Sequence, residues 1–218
     1  MRHTLLALAL FLPLAAAAAD NDIDKVNGAV YVDAGQHAGD VSSVNGAVNI
    51  ADHAVVKKAS TVNGSVSLGD QAQATEVGTV NGGIELGRGS HVSGKVEATN
   101  GGIKLDHGAD IGGQLANVNG TISLNEAHVA GGIETVAGDI LVGEGSHVEG
   151  GILVEKPNGG WFNSNNNRIP HVVIGPHAVV QGTLEFRRDV VLNVSDSAQI
   201  GMVKGATPVK FSGDAPAN

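Results

Sequence analysis

Over most of the chain, apolar and polar residues alternate in runs of only three to five, and the runs end at Gly, Asn or Asp. Val66-Ser67-Leu68, Ile84-Glu85-Leu86 and Ile103-Lys104-Leu105 each place an aliphatic residue at every second position. That period of two, carried by β-branched residues and punctuated by turn formers, predicts short strands joined by corners. No stripe with apolar residues three and four apart is present, so helices are not expected.

The strands belong to a repeat. Val-Asn-Gly starts at Val26, Val44, Val62 and Val80, and returns as Thr99-Asn100-Gly101, Val118-Asn119-Gly120 and, without the Asn, Val136-Ala137-Gly138. The steps are 18, 18, 18, 19, 19 and 18 residues. Aligned coils read V-N-G-x-I-x-L-G-x-G-A-x-V-x-G-x-V-x, with apolar or small residues at coil positions 1, 5, 7, 11, 13 and 17. This spacing predicts an all-β fold, a single-stranded parallel β-helix of about 18 residues per coil.

Asn-Gly suits a corner because both residues tolerate positive φ and Gly adds no bulk where backbones crowd. Repetition at one register stacks Asn27, Asn45, Asn63, Asn81, Asn100 and Asn119. Amides so stacked are expected to form a structural ladder. The sequons Asn63-Gly64-Ser65 and Asn119-Gly120-Thr121 then read as by-products of the corner.

The ends and one interruption divide the chain. Residues 1–19 combine a short basic start, an apolar run from Leu5 to Leu14 and an Ala15–Ala19 tract, the layout of a signal peptide cleaved before Asp20. The apolar run is too short to span a bilayer, so no membrane span is expected in the mature chain. The repeat then fills residues 20–204, except that Lys156 to Pro170 has two prolines, three consecutive asparagines and the only Trp, and reads as an ejected loop. The pattern resumes at Ile174 and continues weakly through Leu192 and Ile200. About nine coils at roughly 4.8 Å each make a rod some 45 Å long. Residues 205–218 are expected to cap the last coil and end in a frayed tail.

Composition narrows the chemistry. Thirteen Lys and Arg stand against 22 Asp and Glu, a formal charge of −9, which makes nucleic acid and anionic lipid poor partners. Cysteine is absent, which excludes disulfides, thiol catalysis and a lipoprotein anchor. Thirty-two Gly against four Phe, one Trp and one Tyr suit a thin core filled by Val, Ile, Leu and Ala.

The coils GRGSHVSGKVEATNGGIKLDHGADIGG and IGPHAVVQGTLEF resemble the bactofilins, bacterial polymer-forming proteins, and the V-N-G-S-V-S-L units resemble exported bacterial β-strand-repeat proteins. The resemblance covers roughly residues 26–204. It implies a right-handed, three-sided β-helix acting as a scaffold that associates end to end without nucleotide or cofactor. The chain departs from typical, cytoplasmic bactofilins in carrying a signal peptide.

Enzymes on related folds need features that can be looked for. Left-handed hexapeptide acyltransferases use a His at a subunit junction. Here His37, His91 and His147 share coil position 12 but lie about three coils apart, His53, His107 and His128 fall at outward or corner positions, and His171 and His177 flank the resumed coil. Dispersed, solvent-facing histidines are therefore expected. Polysaccharide lyases and hydrolases need acidic pairs or basic residues with calcium, with aromatic platforms. Outward positions 4 and 6, such as Ser65/Ser67, Gly83/Glu85 and Gly102/Lys104, carry no such series.

The expected function is thus an exported, periplasmic or secreted, non-enzymatic β-solenoid acting as a structural or interaction scaffold in a bacterial envelope, with no catalytic, cofactor or metal site. The alternative is a polysaccharide-binding or adhesin-like module, and a polysaccharide lyase is third. Trp161, Phe162 and Arg168 in the loop are the candidate contact residues for an envelope protein or glycan. Limited end-to-end self-association, with the N-terminal end the more open, is the remaining expectation, because a β-helix leaves unpaired backbone groups at its ends.

Overall fold

The computed structural model describes residues 21–157 and 168–216, and these form a β-solenoid of about ten coils. The predicted signal peptide, and Trp161 and Phe162 of the loop, lie outside the described residues. Every strand pairing is parallel, with partners one coil apart in sequence.

Each coil contributes to three faces. The first face is a ten-stranded sheet running from Val30–Val32 through Ile103–Leu105 to Val209–Phe211. The second starts at the His37 end of His37–Asn45 and includes His91–Val92 and His147–Val148. The third starts at Ile23–Asn27 and includes Val96–Asn100 and Ile152–Val154. In three coils a nine-residue strand, His37–Asn45, Val55–Asn63 or Gln73–Asn81, runs through the second and third faces without a break. Two residues, such as Lys57 and Lys58, separate the inward Val56 from the inward Ala59 there. In the next five coils, three residues including a Gly (Ser93-Gly94-Lys95, then Gly112-Gly113-Gln114) fill that corner and the strand divides. That added residue is what lengthens some coils from 18 to 19.

The core is a set of stacked aliphatic columns. Ile84, Ile103, Ile122 and Ile140 pair in register, as do Leu86, Leu105, Leu124 and Val142, each at most 1% exposed. Burying such a side chain contributes about 1.5–3 kcal/mol, so coil positions 5 and 7 hold the stack together. The valines at coil position 1 are apolar too, yet they point outward: Val44, Val62 and Val80 are each 41% exposed.

The Asn-Gly corner meets the expectation at its glycines, of which Gly28, Gly82 and Gly120 have positive φ, but not at its asparagines. None of the six asparagines has a positive φ. The glycine is needed for clearance, because a Cβ on Gly101 would meet the carbonyl oxygen of Gly82 in the coil below at 1.9 Å. Ser43, Thr61 and Thr79, all buried, donate their hydroxyls to the carbonyls of Gly28, Gly46 and Gly64 at 3.0, 2.8 and 2.9 Å.

At the C-terminal end, residues 209–211 form a tenth strand on Val191–Ser195, one coil more than the sequence suggests. Its parity is shifted: Lys210 pairs with the inward Val194, and Phe211, 9% exposed, pairs with the buried Ser195. The segment therefore extends the first face as a strand.

Candidate functional site: a histidine and carboxylate column

On the second face, His91, Asp110, His128 and His147 occupy one column on successive strands. This corrects the expectation of dispersed histidines. The corner between the first and second faces has four residues in most coils, as in Asp106-His107-Gly108-Ala109, but only three in Asn125-Glu126-Ala127. The missing residue, with Glu126 at φ 44°, moves His128 into line. A count started from each Val-Asn-Gly places His128 one position early, which hides the column.

The side chains connect along the rod. Asp110 accepts from Nδ1 of His91 through Oδ2 at 2.6 Å and from Nδ1 of His128 through Oδ1 at 2.5 Å. Nε2 of His128 lies 3.2 Å from Glu149 Oε1 in the next coil. Both ring nitrogens of His128 thus face carboxylates, which accept only, an arrangement that favours the doubly protonated ring. The hydrogen bond to Asp110 is the main cause that raises the His128 pKa, against a lowering by burial, and Glu149 adds to the rise. Burial alone pushes Asp110 upward, but the bonds from His128 and His91 outweigh it and leave the carboxyl below its usual value.

The column extends to His147, whose ring meets His128 edge-on with centroids 5.6 Å apart. The Gln181 amide nitrogen lies 2.9 Å from His147 Nε2. At the adjoining corner, His107 Nδ1 and Glu126 Oε2 lie 3.0 Å apart. Among the described residues, no three His, Asp or Glu side chains are placed to hold one metal ion. What the column can do chemically is take up and release protons while tying consecutive coils together.

The other candidate residues fall elsewhere. Arg168 pairs with Asp139, which also accepts from the His171 backbone N–H at 2.9 Å. Arg188 donates to the carbonyls of Val136 and Arg168, both at 2.9 Å. Arg187 bridges Glu155 at 2.5 Å and Glu185 at 2.8 Å. These arginines fasten the base of the loop to the solenoid, so Arg168 has a structural partner in place. The six asparagines are joined by five amide-to-amide bonds of 2.9–3.1 Å, from Asn45 onto Asn27 up to Asn119 onto Asn100.

A third feature lies on the third face. Small residues Ser42, Ser60 and Gly78 floor a shallow groove of about 450 Å³. Val44, Val62 and Val80 form one wall, and Lys58, Glu76 and Lys95 the other.

No family model, curated protein or solved structure matches this chain.

Proposed function

We propose that the chain is an exported, non-enzymatic β-solenoid that serves as a structural or interaction scaffold in a bacterial cell envelope. The observation that carries this reading is the investment of the surface in periodic columns. An Asn ladder and a row of five exposed valines, with Thr99 in the fifth place, run side by side over six coils, held by a stacked aliphatic core. A rigid rod with a periodic side suits contact with an extended or repeating partner, an envelope protein or a glycan. The apolar run Leu5–Leu14 and the alanines after it support export.

The test is expression of the full chain in a bacterium, followed by fractionation and sequencing of the N-terminus. A periplasmic or secreted product starting at Asp20, co-sedimenting with envelope fragments, is expected. A cytoplasmic product with its leader intact would overturn the export; an exported product absent from every envelope fraction would overturn the scaffold.

A further inference from the structure

The groove on the third face has a charge pattern that points to its occupant. Its outer wall, Lys58, Glu76 and Lys95, continues in register to Asp40, and the column of four alternates in sign from coil to coil. Reversing the order of such a series exchanges every sign. Asp40 comes opposite Lys95, and Lys58 comes opposite Glu76.

We propose that this face pairs with the same face of a second copy, the two rods antiparallel about a two-fold axis that runs along the strands between Lys58 and Glu76. A rotation about that axis sets each column against itself in reverse order, so the contact is isologous. All four residues of the column then meet an opposite charge, Lys95 in addition to Glu97 of its own chain, which it bonds at 2.8 Å.

The neighbouring columns fit the same axis. Val62 meets Val80 of the second copy, Val44 meets Thr99, and Val26 meets Val118. On the floor, Ser60 meets Gly78 and Ser42 meets Glu97, so no like charges oppose. The six-rung Asn ladder, Asn27 to Asn119, is centred on the same point, since Asn63 and Asn81 are its middle rungs. The exposed valines, which the core does not use, are thereby covered: Val26 is 67% exposed and Val118 39%.

Magnitude sets the kind of dimer. Six coils of roughly 4.8 Å and a strand width of about 17 Å give a footprint near 500 Å² on each copy. The total of about 1,000 Å² is at the lower edge for specific association, so the dimer is concentration-dependent. The contact is side by side, distinct from the end-to-end association that the family resemblance implies, and it does not depend on export.

Sedimentation velocity on the mature protein tests it, with Lys58→Glu and the double variant Lys58→Glu/Glu76→Lys. Wild type should pass from monomer to dimer between micromolar and millimolar concentration. Lys58→Glu places like charges across the axis at two symmetry-related points and should weaken association about tenfold or more. The double variant restores opposite charges at all four positions of the pair. It also puts like charges at positions 40 and 58, and at positions 76 and 95, of one chain, which worsens the intrachain column. Recovered association together with a slightly lower melting temperature is therefore expected. A wild type that stays monomeric at millimolar concentration overturns the proposal. So does a Lys58→Glu protein that associates as wild type does, or a double variant that is folded by circular dichroism yet associates no better than the single one.

Discussion

Asp110 and His128 face each other on adjacent strands of the second face, Oδ1 to Nδ1 at 2.5 Å, with Asp110 bonded to His91 on its other side. A carboxylate shared by two imidazoles shifts two titrations in opposite directions. His128 rises and Asp110 falls.

The pH dependence follows from those signs. The raised His128 contributes stability that is fully present below the ordinary His value, about 6.5, and is lost as pH rises through its folded value. The lowered Asp110 contributes stability present above the ordinary Asp value, about 3.9, and lost as pH falls through its folded value. The groups facing the pair are His91, His147 and Glu149. Both partners are 37% exposed, so solvent screening limits the effect to about 1 kcal/mol or less. Melting temperature should be highest near pH 5 and decline toward pH 8, and His128→Asn should flatten that decline. An equally steep decline in the variant would remove His128 as its source.

The core columns give a larger effect. Ile103 is 1% exposed and stacked between Ile84 and Ile122. Ile103→Asp leaves a charge without a partner in the stack and should cost several kcal/mol. Chemical denaturation measures it; a midpoint close to wild type would contradict the stacking of these three side chains.

Ile103 and Leu105 are legible as inward because alternation and the 18-residue step both place them there, and a strand admits only two directions for a side chain. His128 is not legible, because its alignment with His91 and Asp110 depends on a corner one residue shorter than its neighbours. A period counted from Val118 absorbs that difference without trace. The third face hides a similar shift. With two-residue corners, Val41, Ala59 and Val77 turn inward, and Ser42, Ser60 and Gly78, which coil position 17 aligns with the inward Val96, form the groove floor instead. The loop carrying Trp161 is recognisable from its prolines and asparagines, but the anchors of its base, Asp139 and the Val136 carbonyl, lie 29 and 52 positions from the arginines that bind them. Period describes neighbours one coil apart and is silent about such reach.

The Asn ladder predicts unequal costs along its length. Asn81 donates to Asn63 and accepts from Asn100, whereas Asn27 only accepts, from Asn45. Asn81→Ala should therefore cost about 1 kcal/mol, with the exposed setting holding the value near the low end for hydrogen bonds, and Asn27→Ala about half as much. Equal unfolding midpoints for the two variants would mean that the amides contribute nothing beyond occupying the corner.

Two glycines in equivalent corners separate backbone strain from coil-on-coil clearance. Gly28 is in the first coil at φ 99°, and a Cβ there meets nothing within 4 Å. Gly28→Ala thus costs only the strain of a left-handed backbone, about 1–2 kcal/mol. Gly101 is four corners further along the same column. A Cβ there would stand 1.9 Å from the Gly82 carbonyl oxygen and 2.4 Å from its carbon. Both obstacles are backbone, and the Gly82 N–H is bonded to the Asn100 carbonyl at 2.9 Å, so the lower coil cannot move aside without giving up its own stacking. Gly101→Ala should therefore cost at least about 3 kcal/mol, the upper range for forced overpacking, and its melting temperature should fall well below that of Gly28→Ala. If the two variants melt together, the repeated glycine serves only the turn, and the clearance argument fails.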